Sequence, residues 1–289
     1  MTGGAQIALL ADGRRLHLNH GPIDIIALAE GDEAEVMEAY SQAGVRFAAI
    51  LDELVAELAR LRAPVGAARP FHTGAVARRM VAAVWPHRGA FVTPMAAVAG
   101  AVADEVLAAL VAGRNLDRVY INNGGDIAFH LAGGQSFDAG IVDDVDAPDM
   151  DTRVRLTHDM PVRGVATSGW RGRSHSLGIA DAVTVLARSA AEADVAATLI
   201  ANRVNVGHPA IARAAANSLF DDSDLGDLPV TVAVDELPDD AVEEALGAGL
   251  AQASTMHAKG LIFSAYLSLQ GRAKSVSTVA QLSAAGGVA

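Results

Sequence analysis

The stretch DRVYINNGGDIAFHLAGG, Asp117–Gly134, holds two runs rich in β-branched and aromatic residues, separated by a glycine turn at Gly124 and Gly125. Two such runs joined by so short a turn read as adjacent strands. On either side the sequence changes period. TPMAAVAGAVADEVLAALVAG, Thr93–Gly113, predicts a buried helix in which Thr93 can cap, Pro94 suits the first turn and Gly113 can end it. From Asp32 to Arg62 the apolar residues Phe47, Ile50, Leu51, Leu54, Leu58 and Leu61 fall at spacings of three and four. They predict a long amphipathic helix, opened by Asp32 and Glu35 in a capping-box arrangement. Still earlier, AQIALLADGRRLHL carries an Asp-Gly turn at Asp12 and Gly13, so two strands are expected to open the chain.

Downstream, GVATSGWRGRSHSLGIADAVTVLARS has strand-like runs around a loop of glycine, serine and arginine. Ser189 with Glu192 then opens a helix through SAAEADVAATLIANRV, Ser189–Val204. Another helix is expected beyond Pro209, followed by an acidic loop in FDDSDLGDLP and a strand around Val230 to Val234. No fixed-period repeat or low-complexity linker interrupts this order. The expectation is one α+β domain over residues 1–289, with long helices on a largely antiparallel sheet.

Composition narrows the function. The chain is 51% hydrophobic and 19% charged, as a folded globular protein is, and 289 residues can bury a core without staples. Its net charge is -12, and Lys259 and Lys274 are its only lysines, which argues against a nucleic-acid partner. It has no cysteine, so a thiolate nucleophile, a disulfide framework and a cysteine-bound metal are excluded. MTGGAQIALLADGRRLHL lacks the features of a secretory signal, and no window is uninterruptedly apolar over about 18 residues. A cytoplasmic protein without membrane association is expected.

Within the Ser189–Val204 helix, Asp194 and Thr198 stand four residues apart, hence about one turn apart on one face. A carboxylate and a hydroxyl are hard donors suited to Mg²⁺, which takes few protein ligands and completes its shell with water and substrate phosphate. The same pair also fits an exposed aspartate beside a threonine bonded back to its own helix. The Gly124–Gly125 turn could bring backbone N–H groups to a phosphate or flat ring, or be a tight turn only. ATSGWRGRSHS offers the Thr167 and Ser168 hydroxyls, two arginines and His175, an inventory fit for a phosphorylated ligand and equally common in surface loops. His17, His20, His72, His158 and His208 lack metal-ligand spacing and read as surface or packed histidines, as does His257.

Four segments in order resemble the ApbE superfamily, whose best-known members are Mg²⁺-dependent FAD:protein FMN transferases. AVAGAVADEVL is similar to the family block IAKGYAVD, with Gly100 and Asp104 in register. VYINNGGDIAF is similar to LVNLGGDI, matching Gly124, Gly125 and Asp126. VATSG and AEADVAATLI resemble ATSG and ADALATAL, matching Thr167, Ser168, Gly169, Asp194 and Thr198. The likeness is strongest over residues 93–204 and implies an ApbE-like, T-fold-related architecture.

It further implies that Asp194 and Thr198 hold Mg²⁺, that Gly100, Asp104 and the Gly124–Asp126 turn serve the flavin nucleotide, that Thr167, Ser168 and Gly169 contact it, and that His175 moves a proton. FAD as ligand or substrate and an acceptor protein are the partners so implied. Two departures stand out: Ala99 replaces the family lysine, and the family segment HIIDPRTG has no counterpart in HSLGIADAVTV. The chain looks most like a cytoplasmic, uncharacterised branch of the superfamily. FAD binding with phosphoryl transfer, flavin or nucleotide binding without catalysis, and chemistry on a pterin or purine are the readings left open.

Overall fold

The structure, a computed structural model, describes residues 4–142, 150–172, 174–219, 223–278 and 283–284. In chain order its strands are β1 (Gln6–Leu9), β2 (Leu16–His20), β3 (Ile23–Gly31), β4 (Leu116–Asn123), β5 (Asp126–Leu131), β6 (Ser136–Val142), β7 (Met150–Thr157), β8 (Gly164–Ser168), β9 (Ala182–Ala187), β10 (Ile211–Ala215), β11 (Pro229–Val234), β12 (Ser264–Leu269), β13 (Arg272–Ser277) and β14 (Ser283–Ala284). The helices are α1 (Glu33–Ala56), α2 (Leu58–Leu61), α3 (Ala75–Val84), α4 (Val98–Val111), α5 (Ala190–Arg203), α6 (Ala216–Leu219) and α7 (Asp239–Ala258). They group into two compact units. The first holds Met1–Ser136, Thr157–Ala166 and Arg188–Val195, the second Phe137–Leu156, Thr167–Ala187 and Ala196–Ala289.

In the first unit the strands run β1-β2-β3-β4-β5-β8, antiparallel throughout. The decisive stretch behaves as its sequence demands. Gly124 and Gly125 take φ of 67° and 108°, a region that residues with a Cβ rarely enter, and Asn123 pairs with Asp126 across the reversal. In β3 the side chains of Ile23, Ile25, Ala27 and Ala29 alternate into the core. Phe47 and Ile50 of α1 are fully buried, and α1 packs against β2, β3, α3 and α4.

Asp32 caps α1, its carboxylate accepting from the N–H groups of Ala34 (3.0 Å) and Glu35 (3.4 Å). Asp32→Ala should therefore lower stability by about 1 kcal/mol, read as a shifted urea midpoint at unchanged slope. No shift would mean that the N–H groups are satisfied by water.

The apolar period that runs to Arg62 is broken at Glu57. That residue leaves helical geometry at φ -110°, ψ 5°, and its buried carboxylate meets His72 Nδ1 (2.7 Å) and the N–H groups of Thr73 and Gly74. It thereby supplies the start of α3, whose own cap residue, Gly74, has no side chain. His72 is only 2% exposed and is packed, as its isolated position in the sequence suggests.

Pro94–Val111, with mean hydropathy 1.7 over 18 residues, is long and apolar enough to cross a bilayer. Here it is a core element: after a 3-10 turn at Pro94–Ala97, α4 packs on α1, α3, β4 and β5.

In the second unit β9, β12 and β13 are antiparallel neighbours, with every residue of β9 buried. Helix α7 covers β12 and β13. A three-stranded sheet runs β14-β7-β6, and β10 pairs with β11. That last pair corrects the expectation of a helix beyond Pro209. IARAA forms a strand, with Ile211 opposite Val234 and Ala215 opposite Pro229, and only the single turn α6 follows. Alanine is the best helix former, but its preference amounts to only a few tenths of a kcal/mol per residue, and cross-strand pairing outweighs it. Part of the acidic loop, residues 220–222, lies outside the described residues.

Candidate functional site

The two helices that carry the family-like blocks begin against each other. Ala97, the residue ahead of α4, offers no side-chain cap, so the first N–H groups of that helix need a partner from elsewhere. Asp194 of α5 supplies it: its Oδ2 accepts from Gly100 N–H at 3.0 Å, and its carboxylate also takes the Ala99 N–H. The arrangement is reciprocated. Asp104 of α4 accepts from the N–H groups of Ala190 and Ala191, the first residues of α5, at 3.0 Å each. Ser189 adds its Oγ as acceptor for Glu192 N–H at 3.2 Å. Each aspartate thus caps the helix on which the other stands.

Such an approach leaves no room for side chains at the crossing. A Cβ on Gly100 would lie 2.3 Å from the Ala190 carbonyl oxygen, and one on Gly164 would lie 2.1 Å from the Ser189 carbonyl carbon. The four-residue spacing of Gly100 and Asp104 puts close contact and cap on one face of α4. Beside them, Asn123 Nδ2 donates to the Ala99 carbonyl at 3.0 Å, tying the glycine turn to the first turn of α4. Asn122 Oδ1 accepts from Gly125 N–H at 2.9 Å, and Asp126, half-buried, starts the next strand.

Burial pushes the Asp194 carboxyl up to about 7; the Ala99 and Gly100 N–H groups pull it down, and the neighbouring Asp104 charge raises it further. Burial also raises Asp104, against the pull of its two N–H donors and of Arg79. Two carboxyl groups held this way resist ionising together, and an added cation would relieve both. The position where the family block has lysine is Ala99, so that residue supplies no charge. Thr198 stands four residues further along α5, half-buried. Among the described residues no group of three or more His, Cys, Asp or Glu side chains could hold a metal. The donors here, two carboxylates already accepting backbone N–H groups, do not fit a fully protein-caged ion.

In the second unit, Thr167 Oγ1 lies 2.8 Å from Thr184 Oγ1, and Ser168 is half-buried at the end of β8. Gly169 is required by contact, since a Cβ there would lie 2.1 Å from the Asp181 carbonyl oxygen. Asp181 organises this loop. Its carboxylate accepts from Trp170 Nε1 (3.2 Å) and Gln270 N–H (2.6 Å), with Arg171 at 3.8 Å. The Arg171 guanidinium also lies 5.0 Å from the centre of the Trp170 ring. His175 follows in the same loop, half-buried; Arg173 lies outside the described residues.

The first unit thus brings Gly100, Asp104, Asp194 and the Gly124–Asp126 turn together; the second gathers Thr167–Gly169 with Thr184 and Asp181. Sequence reading missed Asn123, Asp181 and Thr184. Asn123 borders a motif already singled out. The other two partners lie 12 and 17 positions from Gly169 and Thr167, and only the fold joins them.

A family model described as AbpE bacteria matches residues 7–275. The chain belongs to this ApbE-like family. Curated relatives of this family member include a UPF0280 protein of Methanopyrus kandleri, 39% identical over 138 residues that make up 47% of this chain and 53% of that one. A UPF0280 protein of Methanosphaerula palustris is 38% identical over 139 residues, 48% of this chain and 56% of that one. The matched region thus spans about half the length of these relatives. Among solved structures, the apo form of Pseudomonas stutzeri flavinyl transferase ApbE aligns with a TM-score of 0.43 at 13% identity, over 95% of each chain. A flavin transferase ApbE from Vibrio cholerae aligns at 0.40 and 12% identity, over 96% of this chain and 98% of that one.

Proposed function

We propose that this ApbE-family chain binds a flavin dinucleotide such as FAD together with Mg²⁺, in the manner of a phosphoryl or FMN transferase. Membership of the family supports the ligand class. The observation that carries the metal is the pair of half-buried, facing aspartates, Asp104 and Asp194, both with raised carboxyl pKa and no side-chain cation from Ala99. Asp194 and Thr198 would hold the ion, and when bound it would neutralise charge on a pyrophosphate. The chain's own residues bind and orient. Gly124 and Gly125 let a ligand approach the backbone, Asp126 marks the edge of that approach, Thr167, Ser168 and Gly169 offer hydroxyl and backbone donors, and His175 would hold or pass a proton at its imidazole.

Calorimetry with FAD at about millimolar Mg²⁺ tests this reading, with the Mg²⁺-free titration beside it. Binding should depend on the metal. Asp194→Asn keeps one oxygen for the Ala99 and Gly100 N–H groups and relieves repulsion with Asp104, so the metal-free protein should keep its stability. Its Mg²⁺-dependent affinity should fall about tenfold or more, and Thr198→Val should lose metal response in the same direction. If FAD does not bind in Mg²⁺, or if metal plus FAD stabilises wild type and Asp194→Asn equally, the reading fails.

Ala99 and the absence of the family segment after His175 favour a second reading, in which binding survives and transfer does not. Release of AMP from FAD, or a flavinylated acceptor protein, separates the two. A ligand retained through purification and identified as a pterin or purine would redirect the assignment of the flat ring.

A further inference from the structure

The second unit contains a cleft of about 690 Å³, within the range of small-ligand pockets. Asn202 and Arg203 line it from the end of α5, Asn205 from the following loop, Arg213 from β10, Leu228 from the approach to β11, and Glu244 from α7. Arg213 is half-buried, and its guanidinium donates to the Leu177 carbonyl (2.7 Å), to Thr231 Oγ1 (3.2 Å) and to Asn205 Oδ1 (2.6 Å). All three acceptors are neutral. Among the described residues, neither Arg213 nor Arg203 makes an ion pair.

In a chain of net charge -12, two guanidinium groups on one cleft that make no ion pair among the described residues, although Glu244 also lines the cleft, are unusual, because acidic neighbours are abundant. Burial lowers the Arg213 pKa, as expected where no counter-charge offsets lost hydration. A strut that fixes β10 to the Leu177 loop explains three of its five N–H donors. Arg203 suits the C-terminal end of α5 by the helix dipole, yet its exposed side chain also faces this same cleft.

We propose that this cleft binds a small organic anion, with a carboxylate or phosphate group on Arg213 and Arg203 and an apolar body against Leu177, Val206 and Leu228. The planar fork of arginine matches both kinds of oxyanion. The apolar lining separates such a ligand from a free inorganic ion, which has no surface to bury there.

Calorimetry on the full chain would use phenyl phosphate, benzoate and inorganic phosphate as probes. At least one organic probe should bind more tightly than inorganic phosphate, and the preference between the two identifies the anionic group. Arg203→Gln should weaken that probe about three- to tenfold with unchanged melting temperature, and Arg213→Lys, which keeps the charge and loses the fork, about tenfold or more. If Arg213→Lys does not fold, Arg203→Gln decides alone. Asp194→Asn should leave probe binding intact. Absence of binding by both organic probes up to about 20 mM overturns the proposal. So does affinity that survives the folded arginine variants, or that falls in Asp194→Asn.

Discussion

Gly100→Ala should lower the unfolding free energy by about 3–5 kcal/mol, enough to leave many proteins of ordinary stability largely unfolded. The added methyl would sit 2.3 Å from the Ala190 carbonyl oxygen and 2.7 Å from the Ala191 nitrogen, both backbone atoms that cannot rotate away. Helix propensity pulls the other way, since alanine in a helix interior is favoured over glycine by about 1 kcal/mol. The clash should win, because relief requires α4 and α5 to separate and both aspartate caps to stretch. Denaturant melts decide it. Equal or greater stability in Gly100→Ala would mean that the helices have slack and that the glycine serves something other than contact.

Asp104→Ala should cost about 2–3 kcal/mol, because the N–H groups of Ala190 and Ala191 lose charge-accepting partners inside the protein. Asp104→Asn should cost less than about 1 kcal/mol, retaining one acceptor while removing a charge that burial disfavours. The order of the two variants is the informative result. In a double-mutant cycle, Asp104→Asn and Asp194→Asn should also be non-additive, since each relieves the same repulsion. Equal, small losses in Asp104→Ala and Asp104→Asn would mean that water replaces the cap.

Hairpins and caps were legible because their signals are local. Gly124–Gly125 reverses the chain through a φ that few other residues adopt, and the Asp32 and Ser189 starts lie within four residues of the groups they serve. The helix beyond Pro209 was misread because local propensity is weak and the partner strand that overrides it lies some twenty residues away. The break at Glu57 was hidden because the group that draws its carboxylate inward, at His72–Gly74, is distant in sequence. At the candidate site, residue types and spacing singled out Asp194 and the glycine turn, and the family resemblance singled out Gly100 and Asp104. What spacing could not show is that both aspartates are already occupied by backbone N–H groups, which makes any metal role additional to a structural one.

The reciprocal caps also bear on the order in which the chain can mature. Gly100 and Asp194 are 94 residues apart, and Asp104 and Ala190 are 86 apart. While the chain is being synthesised, α4 emerges long before the segment that closes it. Its first turn must wait through six strands, β4 to β9, before Arg188–Val195 completes the unit to which it belongs. Contacts of such long range are entropically expensive to form and slow to arrive. A chain truncated ahead of Arg188 would keep the α1, α3, β4 and β5 partners of α4 but leave the Gly100 N–H without Asp194, an unclosed unit open to chaperones or to aggregation.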